Sequence, residues 1–172
     1  ARDAAIVIRL REVMEHAWKR APFYRRKWDD AGVHPSHITS LEAFEKVPVV
    51  TKADLRAAQA AHPPFGDYLC IQPDDVHHIH GTSGTTGRPT TFGIGRDDWQ
   101  ATADAHARIL WGMSVRPGDI LFVAAIFSLY LGSWGAMLGG ERLGCRVFPF
   151  GAGAGGMTAR AASWLDAVKP QA

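Results

Sequence analysis

Between residues 76 and 168 the chain alternates between short β-rich apolar runs and stretches with helical spacing. That alternation constrains the fold more than any other feature. β-Branched and aromatic residues suit a pleated surface, whereas apolar residues recurring every three or four positions suit one face of a helix. The segments read as strand 76–80, strand 90–94, helix 97–111, strand 120–125, helix 133–143, strand 146–150 and helix 158–168. Asp97 and Asp98 place negative charge at the start of the first of these helices, where the helix dipole favours it. Arg116-Pro117-Gly118-Asp119 has the composition of a turn. Strand–helix–strand order predicts parallel strands joined by right-handed crossovers.

The residues before this region read differently. Ile6, Leu10, Val13, Met14 and Ala17 fall at helical spacing, and Pro22 ends the run. A second helix over 23–31 is stopped by Gly32. Thr39 with Glu42, and Thr51 with Asp54, each set an acid three residues after a hydroxyl, marking two more helix starts. Between them Val47-Pro48-Val49-Val50 is expected to be extended, because proline disfavours helix in the residue before it. The fold class is therefore α/β: a helical N-terminal region, 1–75, followed at 76–172 by part of a mostly parallel sheet with flanking helices. Ala1 is not a start residue, and Lys169-Pro170-Gln171-Ala172 falls where a further strand is expected. A sheet halted there leaves an unpaired edge, so the chain reads as the N-terminal part of a larger protein.

Composition excludes several classes. The formal charge is +2 over 172 residues, with no basic run interleaved with aromatics, so nucleic acid is not an expected partner. Cys70 and Cys145 are isolated, which fits buried structural thiols in a reducing cytoplasm. The uncharged 21 residues from Ile120 to Gly140 include Gly135-x-x-x-Gly139 and are long enough to raise a membrane span. Their character changes halfway, from a β-rich run to an aromatic stretch to a helical one. A buried strand followed by a loop and a buried helix gives the same hydropathy, and that soluble reading is preferred.

The segment His80-Gly81-Thr82-Ser83-Gly84-Thr85-Thr86-Gly87-Arg88-Pro89-Thr90 carries the chemistry. It holds three glycines, five hydroxyl side chains and one fixed cation in eleven residues. Glycine lets backbone N–H groups approach an anion, hydroxyls donate, and the Arg88 guanidinium matches phosphate oxygens. Flexible Gly/Ser/Thr linkers are usually longer and simpler than this. A Walker loop is excluded, because five residues after Gly81 stands Thr86 and five after Gly84 stands Pro89. The run Thr82 to Thr90 resembles the phosphate-binding signature of the adenylate-forming enzymes, the superfamily of acyl-CoA synthetases, peptide-synthetase adenylation domains and luciferases.

Further residues narrow the resemblance to phenylacetate-CoA ligases and their relatives. Ala21-Pro22-Phe23-Tyr24-Arg25, Pro48-Val49-Val50-Thr51-Lys52-Ala53-Asp54-Leu55, Arg116-Pro117-Gly118-Asp119 and Gly140-Glu141-Arg142-Leu143-Gly144 are each similar to segments of those enzymes, in the same order. The resemblance implies ATP-dependent activation of a carboxylic acid, with Mg²⁺, to an acyl-adenylate that the thiol of CoA then captures. It implies that Thr82, Ser83, Gly84, Thr85, Thr86, Gly87 and Arg88 hold the ATP phosphates, with Arg88 where a lysine is frequent. Phe127 and Tyr130 align with family aromatics and, with Trp134, imply a wall on which a flat aryl acid stacks. The catalytic residues themselves are expected beyond Ala172, so residues 1–172 alone are not expected to form acyl-adenylate. The implied partners are the aryl acid, ATP, CoA and a second copy in a homodimer, with no nucleic acid and no membrane, in the cytoplasm. Two other readings stay open: an adenylating enzyme that loads a carrier protein or an amine, and a non-catalytic nucleotide-binding or assembly subunit.

Three other candidates carry less. Gly151-x-Gly153-x-x-Gly156 matches a dinucleotide fingerprint formally, but the acid expected about twenty residues on would lie beyond Ala172. Among His77, His78 and His80 only the last two share a strand face, and no third metal ligand lies at a recognised spacing. Glu141 sits in a helix uncharged up to that point, which raises a buried, paired acid, with helix packing the preferred role.

Overall fold

The computed structural model describes residues 1–82, 89–151 and 157–172. The chain divides into two compact units, one formed by Ala1–Val76 together with residues up to Gly93, the other by the segment from His77 and by Ile94–Ala172. The architecture is α/β, as the alternation predicts, and the strands are shorter than the runs that encode them.

The first unit is helical. Helix α1 (Arg2–Arg20) meets α2 (Pro22–Asp30) at Ala21, whose backbone is extended at φ −114° and ψ 106°. Pro22 causes this bend: it pushes the preceding residue out of the helical region while fitting the first turn of the next helix. Met14, Ala17, Trp28 and Ile38 form one core cluster, and Phe23, Ala58 and Tyr68 form another. Gly32, at φ +66°, ends the second helix region as expected. The four-residue α3 (Leu41–Phe44) is capped by Ser40, whose hydroxyl accepts from the Ala43 N–H, and not by Thr39. Both hydroxyls compete for one cap, and the one adjacent to the first helical residue wins.

Helix α4 (Lys52–Ala61) starts as its sequence predicts. Thr51 Oγ1 accepts from the Asp54 N–H at 3.2 Å, and Asp54 Oδ2 accepts from the Thr51 N–H at 2.8 Å. The Thr51 N–H, and next the Lys27 ammonium at 3.0 Å, hold the Asp54 carboxyl at about 2, well below its ordinary range. Beyond α4, Tyr68 donates its hydroxyl to the Thr91 carbonyl at 2.8 Å and Thr91 N–H bonds the Gln59 side chain at 3.1 Å. The Thr91 hydroxyl donates to the Pro64 carbonyl. These bonds fix the start of β2 (Thr91–Ile94).

The second unit contains β1 (His78–Gly81), α5 (Arg96–Gly112), β3 (Ile120–Phe122), α6 (Leu131–Leu143), β4 (Arg146–Phe148) and α7 (Met157–Val168). Strands β3 and β4 pair in parallel, Ile120 opposite Arg146 and Phe122 opposite Phe148, with α6 as the crossover. The turn before β3 is closed by Asp119, which accepts from the Arg116 N–H at 2.7 Å. Gly144, at φ +90°, ends α6 in the left-handed conformation that glycine adopts freely. On the other edge of β3, the Gln171 and Ala172 N–H groups donate to the Ile120 carbonyl at 3.1 and 3.3 Å, and Phe122 N–H donates to the Ala172 carbonyl at 2.7 Å. That alternation is the parallel pattern, so residues 171–172 run beside β3 as a further strand would.

Glycines decide how α5 and α6 meet. A Cβ on Gly135 would lie 2.2 Å from the His106 ring, and one on Gly139 would lie 2.8 Å from the Ala107 backbone nitrogen. The small-xxx-small spacing thus serves close helix packing within this unit, and no described helix is long and apolar enough to cross a membrane. Gly140 faces the sheet, where a Cβ would meet Leu121 and Val147 at 2.6 and 2.8 Å. Glu141 is exposed, which overturns the buried-acid reading, and its neighbour Arg142 pairs with Asp104 at 2.6 Å. Cys70 and Cys145 are half-buried thiols rather than fully buried ones. Each donates to a backbone carbonyl, of Tyr68 and Arg116 respectively. Burial, with Asp119 nearby, raises the Cys145 thiol above its ordinary value.

Candidate functional site

Strand β1 leads into the glycine- and hydroxyl-rich segment. Its alternation places His78 and His80 on one side, with ring centroids 6.0 Å apart. Of the seven residues assigned to phosphate binding, Thr82 is described, half-buried directly after β1. Ser83, Gly84, Thr85, Thr86, Gly87 and Arg88 lie outside the described residues, as do Gly153 and Gly156. On the far side of the motif Thr90 is fully buried, and Pro89 lines a hollow of about 400 Å³ with Arg56, Gln59, Ala60 and Pro63 in the first unit.

In the second unit the loop between β3 and α6 packs against β1. Three of its carbonyls between 126 and 129 are engaged. Ser133, at the start of α6, donates its hydroxyl to the Ile126 carbonyl at 2.6 Å, and the Trp134 indole N–H donates to the Ser128 carbonyl at 2.8 Å. The Leu129 carbonyl receives the Gly81 N–H at 3.2 Å and lies 3.1 Å from His80 Nδ1. Holding carbonyls in this way shapes an irregular loop, because backbone acceptors removed from water need partners.

An aromatic cluster fills the space between β1, the first turn of α5 and the start of α6. His78 stacks on Trp99 at 3.8 Å with the planes 12° apart, and His80 lies over the same indole at 5.6 Å and 26°. Trp134 meets His80 edge-on at 6.5 Å and Phe127 edge-on at 5.3 Å. Burial, and then the neighbouring His77 and His80, lower the His78 pKa, which favours the neutral imidazole in this stack. His80 is 6 % exposed, and among the described residues its Nε2 has no hydrogen-bond partner.

Two of the three proposed wall residues, Phe127 and Trp134, are therefore brought together. Tyr130 stands apart from them: it is 68 % exposed, and its ring folds back beside Gly132. The residues that sequence reasoning missed are Trp99 and the Leu129 carbonyl. The His-x-His spacing on a strand gave a signal for a shared face, but nothing in the spacing links Trp99 to it across eighteen intervening positions. The histidines are occupied in stacking, and among the described residues no group of three His, Cys, Asp or Glu side chains comes together as a metal site.

No protein-family model matches the chain. Among curated proteins it is similar to the phenylacetate-coenzyme A ligase of Thermus thermophilus, 36% identical over 163 residues, covering 95% of this chain and 35% of that protein. The phenylacetate-coenzyme A ligase of Escherichia coli is 38% identical over 162 residues, covering 94% of this chain and 35% of that protein. The chain is similar to phenylacetate-CoA ligases over nearly all of its own length. It spans about a third of the length of these relatives and corresponds to their N-terminal part. Among solved structures, 2-hydroxyisobutyryl-CoA ligase bound to 2-HIB-AMP and CoA superposes with a TM-score of 0.93. That match has 65% sequence identity and covers 98% of this chain and 36% of that one. The same ligase in its postadenylation state, with 2-HIB-AMP, matches at a TM-score of 0.93 and 63% identity.

Proposed function

We propose that the full-length protein is an acid–CoA ligase that activates its acid as an acyl-adenylate. The observation that carries this reading is the sequence motif Thr82–Thr90, in a chain 65% identical to a ligase captured with an acyl-AMP and CoA. In the first half-reaction a carboxylate oxygen attacks the α-phosphorus of ATP, the bond to the bridging oxygen breaks, and pyrophosphate leaves. In the second, the CoA sulfur bonds to the acyl carbon, AMP departs with the electron pair, and the thiol proton passes to solvent. Residues 82–88 have the donor chemistry to hold the β- and γ-phosphates as charge moves onto pyrophosphate. Preorganised N–H and O–H donors do this without reorganising in the transition state. Magnesium enters as the partner of ATP, through ligands expected outside this chain.

For the acid, a small branched 2-hydroxy acid is the favoured reading. It draws on the 65% identity to the 2-hydroxyisobutyryl-CoA ligase, against 36–38% for the phenylacetate ligases. It also draws on Phe127 and Trp134, which pack against each other and leave less open ring face for a flat ligand. The second reading is a benzoate- or phenylacetate-type acid on the same wall, with Tyr130 closing over it, and it draws on the curated relatives. Acid-dependent exchange of pyrophosphate into ATP by the full-length protein, measured with 2-hydroxyisobutyrate, benzoate and phenylacetate, separates the two. The expected result is exchange with the hydroxy acid and thioester formation only when CoA is present. Exchange without CoA-dependent product would move the assignment to carrier-protein or amine loading. No exchange with any acid would leave a nucleotide-binding subunit.

A further inference from the structure

We infer that His80 is a positioning residue, tying the loop before α6 to the entry of the phosphate-binding segment through the carbonyl of Leu129. The inference rests on the reading of residues 82–88 as that segment. One carbonyl oxygen with two lone pairs serves two donors here, the Gly81 N–H at 3.2 Å and His80 Nδ1 at 3.1 Å. A carbonyl only accepts, so His80 donates from Nδ1. The side chain is 6 % exposed, and its Nε2 has no partner among the described residues.

The loop does not need His80 for its own shape. Ser133 and Trp134, from α6, already hold the carbonyls of Ile126 and Ser128. The bonds to Leu129 come from elsewhere, from a strand whose sequence runs directly into Thr82. Stacking over Trp99 and the edge contact with Trp134 fix the imidazole plane, so the Nδ1–H direction is set before any ligand arrives. Loss of this tie uncouples two walls from each other. One is the loop that carries Phe127, the other the start of the glycine-rich segment.

The test compares His80→Asn, His80→Gln and His80→Ala in the full-length protein by acid-dependent pyrophosphate exchange. Asparagine places an amide N–H near the position of Nδ1, and glutamine places its amide near Nε2. His80→Ala and His80→Gln are expected to raise the KM for acid and the KM for ATP together, each about tenfold, with His80→Asn within about threefold of wild type. A merely structural role would lower the active fraction, hence kcat, and leave both KM values in place. The inference is overturned if His80→Ala moves neither KM or only one of them, or if His80→Asn is as impaired as His80→Gln. Should the alanine variant fail to fold, the asparagine–glutamine pair carries the comparison. Absence of exchange in the wild-type protein overturns the ligase reading and this inference together; exchange in the wild type with unmoved KM values in the variants overturns this inference alone.

Discussion

The two units hold themselves together by opposite means. In the first, large side chains fill the space between helices: Trp28 is 5 % exposed, Phe23 8 % and Tyr68 8 %, and Tyr24 bridges the two clusters they anchor. In the second, α5 and α6 approach because side chains are missing at Gly135 and Gly139, and α6 reaches the sheet because one is missing at Gly140. The first unit should therefore fail when a side chain is made smaller, the second when one is made larger. Burial by bulk tolerates displacement at a cost graded with volume, while backbone contact through glycine does not.

The largest effect tests the first half of that contrast. Trp28→Ala removes an indole that packs on Tyr24 and sits in the cluster with Met14, Ala17 and Ile38. A loss of about 4 kcal/mol is expected from the vacated volume, read as a drop in the denaturation midpoint. A loss under about 1 kcal/mol would show that the cluster collapses freely and is not packed by bulk.

The second half is tested by adding one methyl. In Gly139→Ala the new Cβ would lie 2.5 Å from His106 Cβ, 2.7 Å from the His106 carbonyl carbon and 2.8 Å from the Ala107 nitrogen. Two of those three atoms are backbone, so the helices must separate. Alanine returns about 1 kcal/mol of helix propensity, so the net destabilisation expected is about 2 kcal/mol. Equal stability to wild type would mean that α5 and α6 slide past each other without cost, and the contrast between the units would fall.

Much of this division can be read in the chain. Pro22, Gly32, Gly144 and the Thr51–Asp54 pair each act within a few residues of themselves, so their effect is local and the elements end where they indicate. The shorter strands were not legible: the apolar run at 120–125 is continuous, but regular pairing with β4 stops at Phe122. Strand length is set by what lies opposite, and that is non-local information. The site divides in the same way. Phe127 and Trp134 are seven residues apart in one aromatic stretch, and their meeting follows from a loop entering a helix. Trp99 joins His78 only through the packing of α5, and a carbonyl such as that of Leu129 has no sequence signature at all. The choice of Ser40 over Thr39 as a cap shows a finer limit, since both residues carry the same chemistry one position apart.

A smaller effect probes how far the first unit also depends on its helix caps. Thr51→Ala removes the hydroxyl that accepts from Asp54 N–H, and a loss of about 1 kcal/mol is expected. The partner half of the box makes stability depend on pH. Asp54 is held at about 2 when folded, chiefly by the Thr51 N–H and then by Lys27. Unfolded, it returns to an ordinary aspartate value of about 4. Between those values the unfolded chain binds more protons, so stability rises with pH there. The contribution is complete above about pH 4 and is lost as pH falls toward 2. Asp54→Asn should flatten that part of the curve of denaturation midpoint against pH. An unchanged slope would show that the cap is not formed in solution.

The smallest effect is the most discriminating, because it repeats the Gly139 substitution with the sign reversed. Gly112 closes α5, is exposed, and a Cβ built there meets nothing within 4 Å. Its backbone is not in the left-handed region, so alanine enters without strain and restricts the unfolded chain more than the folded one. Gly112→Ala is therefore expected to stabilise by about 0.5 kcal/mol, measured as a raised denaturation midpoint. The two glycines lie on the paired helices α5 and α6, and the substitutions are chemically identical. If both destabilised, the Gly139 result would report a general intolerance of these helices to alanine. If only Gly139→Ala does, close approach of the two backbones is what the second unit is built on, and the glycine spacing in the sequence is its encoding.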